Sequence, residues 1–236
     1  MKTDSLAARA TGGLPKRDAF GAQSDARRPH EARFEPALSD ALADAAGVGS
    51  GSRVLFLGPE ASQAAHYLST HYGCRVVACD GGAVTREDTA AGPERQSGRH
   101  FSPMDMPFGA GTFDVVLLLD VLSALDDPVG VLVECERVLR QSGRLAFSEV
   151  VLSQSAGSCV GAALNDARHS RHVNAYASYL KTLERTGLTV ESAIELMLDA
   201  SDFRGHRRRD MSPALGTAWD AGALRRGQYL CRRLSV

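Results

Sequence analysis

The segment RVLFLGPEAS, Arg53 to Ser62, joins a short apolar run to the start of a helical pattern. Consecutive apolar residues from Val54 to Leu57 are typical of a strand buried on both faces, and ASQAAHYLSTHYG then predicts a helix that ends at Gly73. A strand that turns into a helix is the usual place for a nucleotide cofactor in α/β proteins. Such turns normally carry several glycines, whereas this one has only Gly58. The segment therefore predicts the shape of a cofactor site and leaves open whether a cofactor binds.

The alternation of strand and helix patterns continues along the chain. CRVVACD, FDVVLLLD and GRLAFSEVVL predict further buried strands, and DDPVGVLVECERVLR predicts a helix capped by Asp126 or Asp127. LTVESAIEL predicts another strand, and GQYLCRRLSV predicts a closing strand at the edge of the sheet. Apolar strands that alternate with helices indicate a sheet covered on both faces. We therefore predict an α/β fold, doubly wound, with a mostly parallel sheet of about seven strands.

The domain is predicted to begin near residue 34. Residues 1–33 are rich in Ala, Gly, Arg and Asp and show no sustained apolar period, so we expect a flexible N-terminal arm. EPALSDALADAAGVG predicts the first helix, with Leu38, Leu42 and Ala45 on one face and Gly47 at its end. Residues 34–236 are expected to form a single domain.

Composition and charge argue against several classes of protein. The 236 residues carry a net charge of −1, so the chain as a whole offers no field for nucleic acid or an anionic membrane. No apolar run is long enough to span a bilayer, and the first residues lack the apolar core of a secretory signal. The five cysteines are scattered without a CxxC pair or a Cys/His cluster, which favours a cytoplasmic protein with reduced thiols and no metal.

A longer set of motifs lies in MPFGAGTFDVVLLLDVLSALDDPVGVLVECERVLRQSGRLAFSEV, residues 106–150. Its short motifs are Pro107-Phe108, Phe113-Asp114, Asp127-Pro128, Arg137-Val138-Leu139 and Gly143. In order and spacing they resemble class I S-adenosylmethionine-dependent methyltransferases, particularly the small-molecule branch. The resemblance runs from about residue 38 to 198. It implies a Rossmann-like methyltransferase fold, S-adenosylmethionine as cofactor and a small-molecule acceptor, as in specialised metabolism.

Asp80 is the best-placed candidate for a cofactor contact. It ends the predicted strand CRVVACD, 22 positions after Gly58. A carboxylate there can accept hydrogen bonds from both hydroxyls of a ribose. The resemblance implies that Asp80 holds the ribose of S-adenosylmethionine. The alternative is a carboxylate that caps the next turn.

The turn after the first strand departs from the family pattern VLDLGCGTG. Phe56 stands at the acidic position, Glu60 at the second glycine and Ser62 at the third. By the resemblance, Gly58 and Glu60 lie beside the methionine end of the cofactor. Phe56 cannot hold the ammonium group, and Glu60 brings bulk and negative charge where glycine would let the ligand approach. Glu60 either obstructs the cofactor or takes over the ammonium contact.

The region that contacts adenine in the family also departs from the pattern. On the common spacing, Ser102 and Pro103 occupy these positions. Ser102 can accept a hydrogen bond, whereas Pro103 has no N–H to donate. A shifted alignment would bring in Asp105 instead. Asp120, which ends VVLLLD, is a further candidate for a cofactor or substrate contact, with helix capping as the alternative.

Candidate acceptor residues lie in DARHSRHVNAYASYLKTLERTGL, which predicts a long helix from Asp166 to Arg185. On such a helix His169, His172, Tyr176 and Tyr179 form one stripe. One interpretation is a wall of the acceptor pocket, with His172 or His169 as the proton acceptor. The other is a packing helix whose Tyr and His tips reach water.

Three functions remain open at this level. The first is transfer of a methyl group from S-adenosylmethionine to a small molecule. The second is a methyltransferase-fold protein that no longer binds the cofactor well, acting as partner or activator of a companion enzyme or as a homo-oligomer. The third is an enzyme on the same fold that catalyses a rearrangement. A Ser/His/Asp hydrolase finds no support, because no GxSxG-like turn is present.

Overall fold

The structure is a computed structural model that describes residues 36–80, 83–88, 92–94, 101–125, 127–154, 156, 174–198 and 213–234. Within these ranges the elements are, in chain order, α1 (Pro36–Ala46), β1 (Arg53–Leu57), α2 (Ala61–Tyr72), β2 (Arg75–Asp80), β3 (Ala83–Asp88), β4 (Gly92–Glu94), β5 (Phe113–Leu119), a 3-10 helix (Leu122–Ala124), α3 (Pro128–Val138), β6 (Leu139–Leu152), α4 (Tyr176–Leu183), β7 (Leu188–Met197), α5 (Pro213–Asp220) and β8 (Leu224–Arg233). The expected N-terminal arm, residues 1–33, lies outside the described residues.

All eight described strands form one sheet in the order β4-β3-β2-β1-β5-β6-β8-β7. The four central strands, β2, β1, β5 and β6, are parallel to one another. The outer pairs on both sides are antiparallel. The predicted α/β, Rossmann-like class is confirmed, with a parallel centre and antiparallel flanks.

The details of the sheet differ from the prediction in three ways. The described residues contain eight strands rather than seven, and the sheet is mixed rather than mostly parallel. The short strands β3 and β4 read AVTRED and GPE, which have no apolar run from which a strand could be predicted. β8 lies between β6 and β7 and is not an edge strand. Alternation along β8 is compatible with either position, so the sequence could not distinguish them.

The sheet separates two apolar layers, because side chains alternate between its faces. One layer packs α3 and α4 against the central strands, with Leu132, Tyr179 and Leu118 among its members. The other packs α1 and α2 against the opposite face, with Leu42, Leu68 and Phe56 among its members. Helices therefore cover both faces, which confirms the doubly wound arrangement.

Local signals fix the ends of two of these helices as predicted. Gly73 follows α2 with φ of 65°, a left-handed conformation that favours glycine at a helix end. Asp127, rather than Asp126, caps α3, since its carboxylate accepts a hydrogen bond from the backbone N–H of Gly130 at 3.0 Å. Pro128 occupies the first turn of α3, where its missing N–H costs nothing.

Two helix predictions are wrong in detail. In α1 the buried positions are Ser39, Leu42, Ala43 and Ala46, whereas Ala45 is exposed. The predicted continuous helix from Asp166 to Arg185 is wrong at Ala175, whose backbone is extended. The helix α4 begins only at Tyr176. The reason is a competing backbone interaction: Ala175 forms a bridge with Leu152, whose N–H donates to the carbonyl of Asn174 at 3.0 Å. Among the described helices, none combines the length and apolar character needed to cross a membrane.

A cavity among the central parallel strands should lower the free energy of unfolding considerably. Leu118 is fully buried between β5 and the α3/α4 layer. We expect Leu118→Ala to lower the free energy of unfolding by about 2–5 kcal/mol, because the truncation loses apolar contacts and leaves a void. The control is Val133→Ala, whose side chain on α3 is 44% exposed and should change stability far less. Urea unfolding of both variants checks this, and equal losses would contradict it.

Candidate functional site

The parallel register brings several chain segments together at one edge of the sheet. Leu57 of β1 lies opposite Cys79 of β2 on one side and Leu118 of β5 on the other. The N–H of Gly58 donates to the carbonyl of Cys79 at 3.1 Å. We call this region the carboxyl edge, marked by Gly58 after β1, Asp80 at the end of β2 and Asp120 after β5. It is where ligands bind in open α/β sheets.

Gly58 is required at the carboxyl edge by a close backbone approach. A Cβ atom at this position would lie 2.8 Å from the carbonyl oxygen of Leu119 and 3.1 Å from its Cβ. The first contact is shorter than real Cβ atoms show, and it is to a backbone atom that cannot swing aside. The second contact is tight. The glycine therefore allows the turn after β1 to pack against the end of β5.

Glu60 has a left-handed backbone, although it is not a glycine. It precedes α2 with φ of 55° and ψ of 34°, the left-handed region that a non-glycine residue rarely adopts. Its carbonyl accepts hydrogen bonds from the N–H groups of Gln63 and Ala64, so the strained residue starts the helix. The turn therefore contains a conformation that favours glycine at a residue that is not glycine.

Phe56 and Ser62, the other two departures from the family pattern, lie in different surroundings. Phe56 is fully buried in the α1/α2 layer, with a ring carbon 3.4 Å from where a Cβ on Gly58 would lie. It is therefore a core residue beneath the turn. Ser62 is exposed in the first turn of α2.

Asp80 is the last residue of β2, opposite Ala83 of β3. Its backbone thus reaches the carboxyl edge next to Gly58, as the sequence predicts. The structure does not describe its side chain, so the ribose contact remains a prediction.

Ser102 and Pro103 form a tight turn. The hydroxyl of Ser102 accepts a hydrogen bond from the N–H of Met104 at 3.2 Å, and its carbonyl accepts one from the N–H of Asp105 at 2.9 Å. Pro103 is buried and Asp105 is exposed. The Ser102 hydroxyl thus stabilises its own turn, and whether it also contacts adenine is untested.

Two charged residues of α3 hold the segment that follows this turn. Glu134 accepts a hydrogen bond from the N–H of Met106 at 3.0 Å, and Arg137 donates to the carbonyls of Met106 and Phe108 at 2.9 and 2.7 Å. The ion pair with Arg137 lowers the pKa of Glu134, so the carboxylate stays charged. The helix α3 leads away from the carboxyl edge. Its two charged residues therefore hold the segment that follows Ser102 along the side of the sheet.

Asp120 turns the chain sharply at the end of β5. Its φ of 50° is again in the left-handed region, and its N–H donates to the carbonyl of Ser148 on β6 at 2.9 Å. Its carboxylate forms a 2.5 Å ion pair with Nη1 of Arg226 on β8. The Arg226 side chain is 5% exposed and that of Asp120 31%, so the guanidinium lies behind the carboxylate. The structure thus gives the Asp120 carboxylate an ion-pair partner, and its role as a cofactor or substrate contact stays a prediction.

Glu149 is a fully buried carboxylate on β6 that the sequence analysis did not select. Its Oε1 accepts a hydrogen bond from the N–H of Leu122 at 2.6 Å, and its Oε2 accepts one from the N–H of Ser123 at 3.3 Å. Burial raises the pKa of Glu149 to about 7, and the nearby charge of Asp120 acts in the same direction. The two N–H donors oppose this rise because they favour the charged form. Glu149 therefore changes its charge near neutral pH.

Only Tyr176 and Tyr179 of the predicted acceptor stripe lie in the described residues. Tyr176 and Tyr179 are buried on α4, and both rings lie against Tyr229 of β8. The helix that carries them begins after Ala175, whose backbone is extended. Both histidines lie outside the described residues, so their role as proton acceptors is untested. The two tyrosines are packing residues, and burial raises the pKa of each hydroxyl.

No metal cluster is found in the part of the chain that the structure describes. No group of three or more His, Cys, Asp or Glu side chains there could hold a metal ion. Burial raises the pKa of Cys74 to about 11 and that of Cys231 to about 12, so these thiols stay protonated. The polar groups at the carboxyl edge can bind and orient a ligand, and they include no nucleophile of this kind.

Comparisons with known proteins identify the class of domain. Residues 55–147, from β1 to the middle of β6, match the family model described as a methyltransferase domain. These residues therefore belong to a methyltransferase domain. The match covers the turn after β1, Asp80, Asp120 and α3, and it ends two residues before Glu149. The predicted family is confirmed, whereas the roles of individual residues at the carboxyl edge are not tested by the match.

Relatives with known names support the same class. The chain is 28% identical over 143 residues to a glycine/sarcosine/dimethylglycine N-methyltransferase from Actinopolyspora halophila. The similarity covers 58% of this chain and 25% of the relative, so the chain matches about a quarter of that protein's length.

Solved structures show how widely the same fold is shared. The [4+2]-cyclase SpnF has a TM-score of 0.63 and 15% identity, covering 88% of this chain and 85% of the cyclase. The geranyl diphosphate C-methyltransferase from Streptomyces coelicolor A3(2), solved with S-adenosyl-L-homocysteine, has a TM-score of 0.62 and 15% identity, covering 84% of this chain and 80% of that one. At such identity the likeness establishes the fold and does not identify a substrate.

Glu149 and Arg226 are the residues at the carboxyl edge that sequence reasoning missed. The segment LAFSEVVL carries one signal for Glu149, since a single carboxylate in an otherwise apolar strand must find partners. Arg226 carries no comparable signal, because LRRGQYLCRR contains several arginines that look alike in sequence.

The conformation of Glu60 gives a prediction about stability. In Glu60→Ala the strained left-handed backbone remains, whereas Glu60→Gly relieves it. We expect the glycine variant to be more stable than the alanine variant by about 1 kcal/mol, measured as the difference in their free energies of unfolding in urea. The alanine variant serves as the control for loss of the carboxylate. Equal stability of the two variants would show that the backbone is relaxed at this position.

The burial of Glu149 predicts a pH dependence of stability. Between its ordinary pKa of 4.5 and the folded value of about 7, the folded protein holds a proton that the unfolded chain has released. The contribution of this group to stability is therefore fully present below pH 4.5 and is lost as the pH rises to about 7. We expect Glu149→Gln to gain stability relative to the natural protein as the pH rises through this window.

Urea unfolding at several pH values between 5 and 8 measures this difference. Glu184→Gln is the control for the change from Glu to Gln, since Glu184 is exposed just after α4. A Glu149→Gln difference that stays constant across the window would show that Glu149 ionises in the folded protein as readily as in the unfolded chain.

Proposed function

We propose that the chain is an S-adenosylmethionine-dependent methyltransferase that acts on a small-molecule acceptor. The observation that carries this proposal is the turn from Gly58 to Glu60. It keeps a left-handed, glycine-like backbone at the carboxyl edge of a methyltransferase domain, even where glycine has been replaced. A strained conformation in a non-glycine residue persists only when its surroundings hold it in place.

The residues at the carboxyl edge fit a nucleoside cofactor. The N-terminus of α2 begins at the turn, and its partial positive charge suits the carboxylate of the methionine moiety. Asp80, at the end of the neighbouring strand, has a carboxylate that suits the hydroxyls of a ribose. S-adenosylmethionine, when bound, supplies an activated methyl group.

The chain itself would contribute positioning. Gly58 lets the turn after β1 approach β5, and Asp80 orients the nucleoside. Asp120 presents a partly exposed carboxylate from the next strand, held by Arg226. Holding two reactants in line can supply most of the acceleration of a transfer reaction, so a dedicated catalytic base is not required for every acceptor. His169 and His172 remain the proposed proton acceptors where the acceptor must lose a proton.

The proposal of a small-molecule acceptor is supported by the relatives. The names of the similar proteins refer to glycine, sarcosine, dimethylglycine and geranyl diphosphate, all of them small molecules. We further propose that the acceptor belongs to specialised metabolism. We also propose that residues 34–236 act as one domain. A cytoplasmic location is supported by Cys74, Cys135 and Cys231, which are buried and form no disulfide.

Titration calorimetry with S-adenosylhomocysteine tests the proposed function. We expect the natural protein to bind, and Asp80→Ala to weaken binding by about tenfold or more, since a hydrogen bond to a charged group is worth about 1.5–3 kcal/mol. Asp44→Ala is the control, because Asp44 is an exposed carboxylate on α1. Absence of heat from the natural protein at millimolar ligand would overturn the proposed function. It would favour a partner of a companion enzyme instead.

The same titration on Glu60→Gly separates the two roles that the sequence leaves open. If the Glu60 carboxylate holds the ammonium of the cofactor, the variant binds S-adenosylhomocysteine more weakly. If the carboxylate obstructs the cofactor, the variant binds it more tightly. Glu60→Gln distinguishes charge from bulk, because it keeps the size of the side chain and removes its charge.

A further inference from the structure

The segment 120–125, which follows β5, is held by charged residues from two neighbouring strands. Arg226 of β8 forms the 2.5 Å ion pair with Asp120 at the start of the segment. Glu149 of β6 accepts the hydrogen bonds from the N–H groups of Leu122 and Ser123, at the start of the 3-10 helix. A guanidinium and a carboxylate therefore fix the same short segment at different points.

These charges occupy positions where apolar side chains would serve the core better. Glu149 lies on a strand between the fully buried Phe147 and Val151, and on neighbouring β8 Arg226 is also buried. Burying a charge is costly, and replacing a buried ion pair by apolar residues often leaves a protein equally or more stable. Packing alone does not explain a charge at either position.

The segment they hold is part of the carboxyl edge. It starts immediately after Leu119, whose carbonyl defines the close approach to Gly58. A shift at Asp120 would therefore move the wall against which the turn after β1 packs. The orientation of Asp120 and the shape of the turn after β1 therefore both depend on the backbone at the end of β5.

We propose that Glu149 and Arg226 are positioning residues that together fix segment 120–125, and with it the carboxylate of Asp120, against the turn after β1. The consequence for ligand binding rests on the proposed function, whereas the positioning itself does not. Arg226 sets the direction of the Asp120 side chain. Glu149 holds the two N–H groups that follow it.

The strength of the hydrogen bonds between Glu149 and the segment depends on the charge of Glu149. The titratable and charged groups around it are Asp120 after β5, Tyr179 on α4 and Tyr229 on β8, with Arg226 beyond Asp120. Burial raises the pKa of both tyrosines, so they stay neutral between pH 6 and 8. In that interval Glu149 changes from an acid with a proton on one oxygen to a carboxylate that accepts with both. While Glu149 stays buried, its two N–H bonds to the segment are therefore stronger at the higher pH, although ionising this buried group lowers the stability of the fold.

Hydrogen exchange measured by mass spectrometry tests the positioning without any ligand. In Glu149→Gln, one acceptor oxygen becomes an amide group, so a peptide covering residues 120–125 should exchange about tenfold faster at pH 8. Glu136→Gln is the matched control, because Glu136 forms a half-buried ion pair with Arg233 at the opposite edge of the sheet. It should leave this peptide unchanged.

Titration with S-adenosylhomocysteine at pH 6, 7 and 8 tests the consequence for the site. We expect the affinity of the natural protein to rise severalfold over this interval and that of Glu149→Gln to stay flat. Arg226→Lys keeps the charge but loses the fixed geometry of the guanidinium, and should weaken binding at every pH. Arg140→Lys is its control, since Arg140 pairs with Asp114 away from the carboxyl edge.

The outcomes separate this inference from the proposed function. Unchanged exchange of the 120–125 peptide in Glu149→Gln overturns the positioning role, whatever the ligand results. Binding by the natural protein with the same pH profile in Glu149→Gln also overturns it and leaves the proposed function intact. No binding by the natural protein overturns the proposed function, while faster exchange in the variant would still support the positioning role. If Glu149→Gln does not fold, exchange in Arg226→Lys at residues 120–125 decides in its place.

Discussion

The close approach between Gly58 and the carbonyl of Leu119 is the constraint on which the carboxyl edge depends. Parallel pairing of β1 with β5 brings the ends of the two strands side by side, and a residue without a side chain lets the following turns touch. Glu60 then takes a left-handed conformation to start α2, and Asp120 takes another to leave β5. Two strained turns packed against each other form a rigid wall, which suits a site that must orient a ligand.

Next to these turns, charged side chains hold the irregular segments of the chain. Arg226 and Glu149 hold the segment after β5, and Arg137 with Glu134 holds the segment before it. Three of these side chains bond to backbone groups of the segments. Arg226 instead pairs with the side chain of Asp120. The regular elements thus supply the frame, and charged side chains shape the loops that the frame presents.

Local patterns predicted the elements whose ends are fixed by neighbouring residues. Gly73 ends α2 and Asp127 caps α3, because both act on backbone groups within a few positions. The prediction failed for β3 and β4, which form through antiparallel pairing without an apolar pattern, and for the start of α4, where a bridge to Leu152 overrides helical spacing. At the carboxyl edge, the positions of Gly58, Glu60 and Asp120 were predicted, whereas Glu149 and Arg226 were not.

The sequence by itself determined the alternation of strands and helices, the family of the domain and the place of the turn after β1. Each of these depends on patterns of residues that are close together in the chain. Only the tertiary structure decided that the Glu60 backbone keeps the left-handed shape of a glycine, that β8 enters between β6 and β7, and that Arg226 meets Asp120 across 106 positions of the chain. The physical reason is that these features depend on which strands become neighbours. Strand order is set by the packing of the whole sheet, and no local run of residues encodes it.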